Sequence, residues 1–178
     1  VTHRDFDAMM ALADDLNHQD GILKKLLSVY EAPTAKAYFQ RIAPHVDEAD
    51  HLLGLMVAPH SMDGFLTVLA RTKGAKLIFR SDQTEWPREP GPAYEYGWNH
   101  TTLHLRAQDK GWTYLQMLLP QPEAPALAAL KQRWGDDLLW HLEGVRQQGQ
   151  QRLAAIPLVR WRDRAALRRD ASSPGCGR

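Results

Sequence analysis

The chain has 178 residues, 44% of them hydrophobic and 24% charged, and a formal net charge of +1. That is one domain's worth of polypeptide with enough apolar material for a core, and it excludes collagen, coiled coil and wholesale disorder. No run of about 18 apolar residues occurs, so no membrane-spanning helix is expected. Cys176 is the single cysteine, which excludes an internal disulfide and a cysteine zinc site. With no apolar signal-peptide core after Val1, a cytoplasmic location is expected.

The small net charge conceals an asymmetry. Residues 1–64 hold five Lys/Arg against ten Asp/Glu, and the remainder hold seventeen against eleven. Much of the excess lies at the end, in Arg146, Arg152, Arg160, Arg162, Arg164, Arg168, Arg169 and Arg178. An acidic surface and a basic end are implied.

In chain order, Phe6, Met9, Met10, Ala13 and Leu16 share one face of a helix. Thr2 and Asp5 resemble a capping box ahead of it. Ile22, Leu23, Leu26, Leu27 and Tyr30 predict a second helix that stops before Pro33. A third, from about Thr34, carries Ala35, Tyr38, Phe39 and Ile42 and ends at Pro44. Val46 to Val57 fits either a helix or a buried strand.

Beyond Gly64 the pattern suggests strands. Phe65 to Ala70 and Lys76 to Arg80, joined through Arg71-Thr72-Lys73-Gly74, predict one hairpin. Thr101 to Arg106 and Trp112 to Leu119 predict another. Ser81 to His100 is a long connection with three prolines and the aromatics Trp86, Tyr94, Tyr96 and Trp98. Loops of that length are pinned by their own side chains or serve a function. Leu127, Leu130, Trp134, Leu138, His141, Leu142 and Val145 then predict a long C-terminal helix, with kinks allowed at Gly135 and Gly144.

Three constellations offer chemistry. His45, Glu48 and His51, spaced by three, would share a helix face and suit a zinc or iron ion, although an acidic solvated face has the same pattern. His100, Thr102 and His104 would share one side of a strand beside the aromatic loop, as a catalytic set. His100-Thr101-Thr102-Leu103 resembles half of the His-x-Thr/Ser motif of two-histidine phosphoesterases. The second copy that family needs is supplied neither by His60-Ser61 nor by His141-Leu142-Glu143, and no family is assigned. Finally, Arg160, Trp161, Arg162, Arg164, Arg168 and Arg169 combine cations with an indole, which suits nucleic acid or an acidic protein surface. No nucleophile elbow, Walker loop, dinucleotide fingerprint or Cys-x-x-Cys is present, which argues against ATP-driven, dinucleotide-dependent and cysteine-based catalysis; the identity of any cofactor is open.

The expected fold is α+β: a helical N-terminal region, a small antiparallel sheet of two hairpins, and a long C-terminal helix packed on it. Residues 1–161 read as one globular domain, followed by a basic, flexible tail over 162–178. The expected function is a non-enzymatic binding or accessory protein. It would use the Arg/Trp segment and the aromatic loop, with Trp86 and Trp98, to hold nucleic acid or an acidic protein. The alternative is a small hydrolase or metal-dependent enzyme centred on His100 and His104. The oligomeric state is open.

Overall fold

The structure, a computed structural model, describes residues 1–39, 42–83 and 101–161. The chain begins with β1 (Thr2–His3), α1 (Phe6–His18), β2 (Lys24–Tyr30) and α2 (Ala32–Tyr38). A 3-10 turn at Ala43–His45 leads to β3 (His51–Val57), and another at Pro59–Ser61 leads to α3 (Met62–Arg71). After α4 (Thr101–Gln108) come β4 (Trp112–Tyr114), β5 (Met117–Leu118) and α5 (Glu123–Trp134). The last strands are β6 (Leu138–Leu139), β7 (His141–Gln147), β8 (Gln150–Ala155) and β9 (Leu158–Arg160). Six strands form one antiparallel sheet in the order β1-β3-β2-β7-β8-β5, and β4-β9-β6 form a smaller one. The class is α+β.

The first helix forms where its periodicity predicts. Its N-cap is Asp5, whose side chain accepts the Ala8 N–H at 3.1 Å; Thr2 lies in β1 and takes no part. Met9, Leu12, Ala13 and Leu16 are buried in one core with Leu27, Val29, Leu53 and Leu142 of the sheet. Each large side chain so buried stabilises the fold by roughly 1.5–3 kcal/mol. Leu16→Asp would place an unpaired charge in that layer.

Parts of the expected architecture are corrected. Lys24 to Tyr30 is a strand, because it lies between β3 and β7 and needs apolar residues on both faces. Such a continuous run contains the helical spacing by accident. Phe65 to Ala70 belongs to α3, which buries Phe65 and Leu69, four residues apart. Its supposed partner strand contributes one bridge, Lys76 to Thr2. Thr101 to Arg106 is likewise helical, with Thr101 and Leu105 buried. Trp112 to Leu119 does form strands, β4 and β5, but in two different sheets, and the expected sheet of two hairpins is replaced by a larger one in which β5 takes part.

The C-terminal helix stops at Trp134, where Gly135 turns the chain with φ of 54°. From Leu138 onward the chain forms strands instead. β7 and β8 pair from Leu142↔Ala155 to Gln147↔Gln150 around Gln148-Gly149, whose φ values are 50° and 82°. Two consecutive positive values are the signature of a hairpin turn matched to strand twist. Gly144, which looked like a helix kink, is a close approach: a Cβ there would sit 3.0 Å from Asn17 Oδ1 and 3.3 Å from Leu27 Cβ.

Candidate functional site

The strand register sorts the large sheet into two faces. Leu27, Val29, Leu53, Leu142, Leu153 and Ala155 face the main core under α1. The alternate residues form the second face, on which Ser28 sits between Gly54 and Glu143, and Tyr30 between Leu52 and His141. Glu143 is in turn opposite Ala154, and Val145 opposite Arg152. Residues two apart on a strand point the same way, so Tyr30, His141, Ser28 and Glu143 are four neighbours on one surface.

This face is unevenly covered. Tyr30, Ala35, Tyr38, Phe39, Ile42 and Leu52 form a second buried cluster over its Tyr30 end. The aromatic side chains here are therefore interior and not a surface patch. Farther along, Leu26, Met56, Gly54, Glu143, Val145 and Ala154 are only half-buried among the described residues. A mostly apolar ledge thus meets a polar corner where Glu143 projects.

The corner is electrostatically unusual. The His141 ring stacks on Tyr30 with centroids 4.5 Å apart, and its Nδ1 shares a 3.2 Å hydrogen bond with Thr101 Oγ1. Burial pulls His141 down to about 4 from its ordinary 6.5, so the ring is neutral near pH 7. Its Nε2 has no hydrogen-bond partner among the described residues, although Glu143 Oε1 lies 3.5 Å away. Burial also raises the Glu143 carboxyl. It raises the Tyr30 phenol far above its usual range, with Tyr38 and Glu143 adding and Ser28 opposing. Desolvation is the shared cause: each group resists its charged form.

The residues singled out in the sequence are dispersed. His104 and Thr102 lie on α4, and helical residues separated by two point to nearly opposite sides, so the shared strand face expected for them is not formed. The His104 ring meets Tyr38 edge-on at 5.0 Å, at the rim of the buried aromatic cluster. His100, Trp86 and Trp98 lie outside the described residues, as do Arg162, Arg164, Arg168 and Arg169.

His45, Glu48 and His51 do not share a helix. His45 ends a 3-10 turn, Glu48 pairs with Lys36 at 3.2 Å, and His51 opens β3. His51 Nδ1 accepts the Ala32 N–H at 3.1 Å, its ring meets Phe6 edge-on, and burial lowers its pKa against the opposing pull of Glu31 and Asp50. Among the described residues no group of three or more His, Cys, Asp or Glu is arranged to hold a metal ion.

Arg160 is engaged inside the molecule. It pairs with Asp109, reaches Asp137 at 3.2 Å, and lies 4.4 Å over the Trp112 ring. Trp161 beside it is exposed. No described helix is long and apolar enough to cross a membrane.

The corner residues Ser28, Tyr30, His141 and Glu143 escape a reading by period because both segments carrying them have helical spacing. The available signal was His141-Leu142-Glu143, a period-two polar alternation just before the turn at Gln148-Gly149. No protein-family model matches the chain, and no curated protein matches it.

Proposed function

We propose that this is a binding protein whose ligand is a small, largely apolar organic molecule carrying one hydrogen-bonding head group. The ledge of Leu26, Met56, Val145 and Ala154 suits the apolar body, and Glu143 with His141 suits the head. The observation that carries this reading is the buried His141 Nε2, without a hydrogen bond among the described residues and 3.5 Å from a half-buried carboxyl. Buried polar atoms are satisfied in roughly 90% of cases or more, and perturbed groups cluster at functional sites. A ligand hydroxyl or amide at this corner would complete the pair.

The basic-segment reading, for nucleic acid or an acidic protein, is supported by the composition of Trp161 to Arg169 and by the exposure of Trp161. It ranks second because Arg160 already has two carboxylate partners. An enzymatic reading is supported by the same corner. With the Thr101 hydroxyl donating to Nδ1, Nε2 carries the proton and faces Glu143, an arrangement suited to proton exchange with a bound substrate. The centre would then be His141 rather than His104.

The test is an NMR titration with a panel of small phenols, alcohols and amides. Binders should shift Glu143, Val145 and Ala154, and Glu143→Gln should weaken them about tenfold, a loss of roughly 1.4 kcal/mol. Binding that leaves these residues unmoved, or no binding by any member, rejects the assignment. Turnover by the wild type that disappears in Glu143→Gln would select the enzymatic reading.

A further inference from the structure

We propose that a phosphate group, inorganic or carried by a small organic molecule, binds in the fork between β2 and β7, held by Lys24 and Arg146. Among the described residues β2 pairs with β7 only from Tyr30↔His141 to Ser28↔Glu143. Beyond that point each strand keeps its other neighbour: β2 stays on β3 as far as Lys24↔Val57, and β7 on β8 as far as Gln147↔Gln150. The two central strands therefore part. Where they do, a cavity of about 390 Å³ is lined by Asn17, Asp20, Lys24, Lys25, Gly144 and Arg146, among others, a volume within the small-molecule range. The site does not rest on the ligand proposed at Glu143.

Two features turn cations into this fork. The register between β2 and β3 shifts between Lys24 and Leu26, and a bulge of that kind re-aims a side chain. In an unbroken strand Lys24 would share a face with Leu26, away from α1. Instead its ammonium reaches back to the end of α1, donating to Gln19 O at 3.2 Å and Ile22 O at 3.4 Å. Those two bonds fix the ammonium and leave one of its three donors for a ligand. Arg146 lies four residues beyond the core residue Leu142, so its side chain leaves β7 on the α1 face. Its main-chain N–H also points into the fork. The Trp140 C=O accepts from Glu31 of the β2 side, and alternate residues of a strand keep the same edge.

The floor is polar and fixed. Asn17 is 4% exposed, its amide donates to Arg152 O at 3.3 Å, and its Oδ1 occupies the space a Cβ on Gly144 would need. Charge then selects the occupant. Lys24, Lys25 and Arg146 bring three positive charges and Asp20 one negative, a net of +2 around the cavity. A phosphate monoester carries roughly −1.5 to −2 at pH 7, so the two match. Asp20 does not already fill the role: it is 91% exposed and stands 3.9 Å from the Arg146 guanidinium, too far for a hydrogen bond. Burial lowers the Lys24 pKa, with Asp20 opposing and Arg146 adding. An oxyanion between the two cations would offset both the burial and their repulsion.

The probes are inorganic phosphate and phenyl phosphate, titrated into the intact chain at constant pH and ionic strength and read by NMR. Bound phosphate should shift the Gly144 and Arg146 amides saturably. Lys24→Gln and Arg146→Gln should each weaken binding about tenfold, as loss of a charge-assisted hydrogen bond requires. Lys24→Gln also forfeits two carbonyl contacts, so Arg146→Gln, at an exposed side chain, decides the matter if the first variant unfolds. Asp20→Asn should leave the fold intact and strengthen binding about threefold, because it removes a competing exposed carboxylate. Tighter binding of phenyl phosphate, with Val145 shifting as well, would assign the site to an organic monoester, and equal affinities to phosphate itself. The inference is overturned if neither probe gives a saturable shift or if chloride reproduces the shifts. Affinities unchanged in Arg146→Gln and Asp20→Asn overturn it equally.

Discussion

The Lys131 ammonium of α5 lies 2.6 Å from Glu31 Oε1, a residue 100 positions away at the end of β2. The same ammonium donates to Leu138 O at 2.7 Å, and Glu31 Oε2 accepts the Trp140 N–H at 2.8 Å. One carboxylate and one ammonium thereby fix α5, the end of β2 and the entry to β7 together. The Glu31 side chain is 12% exposed and that of Lys131 32%, so the pair is shielded more than a surface bridge.

Lys131→Met should therefore destabilise the fold by about 2–3 kcal/mol, because it leaves a nearly buried carboxylate without its cation. The effect should appear as a lower urea midpoint at unchanged slope. A shift equivalent to under about 0.5 kcal/mol would mean that the pair behaves as an exposed one.

His141 makes stability depend on pH with a defined sign. Its folded pKa of about 4 lies below the ordinary 6.5, so between those values the unfolded chain binds the extra proton. Its contribution is complete above pH 6.5 and declines as pH falls toward 4, by roughly 3 kcal/mol in all. Glu143, whose carboxyl is raised by burial, works oppositely: its contribution is greatest below the unfolded pKa and declines as pH rises. Comparing the wild type with His141→Gln in a Glu143→Gln background isolates the histidine. Parallel stability profiles from pH 7 to 4.5 would contradict the assignment.

The helix of Phe6 to His18 was legible because its apolar positions are separated by polar ones, Asp7, Asp14 and Asp15 among them. Lys24 to Tyr30 offered no such contrast. An interior strand covered on both faces shows the run Leu26, Leu27, then Val29, Tyr30, in which helical and strand periods coexist. The C-terminal half failed for a related reason. Leu127 to Trp134 is helical, and its spacing continues by chance through Leu138, His141 and Val145 into strands. Gly135 and Gln148-Gly149 marked the breaks, but period alone does not weigh them. The corner of Tyr30 and His141 was illegible because the two meet only through the pairing of β2 with β7, a contact across 111 positions of sequence.

The β7–β8 turn supplies a local test. Gly149 has φ of 82° and open space where a Cβ would stand, so any cost of substitution is conformational. Gly149→Ala should lose about 1–2 kcal/mol, and Gln148→Asn, better suited to positive φ, should recover a few tenths. Thermal unfolding of both variants and the double mutant measures this. An unchanged midpoint in Gly149→Ala would show that the turn adopts another form.

Arg160 provides the last prediction, because it separates internal structure from the basic end. Its guanidinium joins Asp109, Asp137 and the Trp112 face across the small sheet. The Asp109 carboxyl is held below its ordinary value by the Gly111 N–H first and by Arg160 second. Arg160→Gln should cost about 1–2 kcal/mol, combining exposed ion pairs with a cation–π contact. Lysine should restore less than half, since an ammonium cannot form the planar fork. If the basic segment also binds nucleic acid, the salt dependence should fall when Arg162, Arg164, Arg168 and Arg169 become Gln. It should be unaltered by Arg160→Gln at temperatures where that variant is folded. A reduced salt slope in Arg160→Gln would instead place its guanidinium on a phosphate, which two engaged carboxylates oppose.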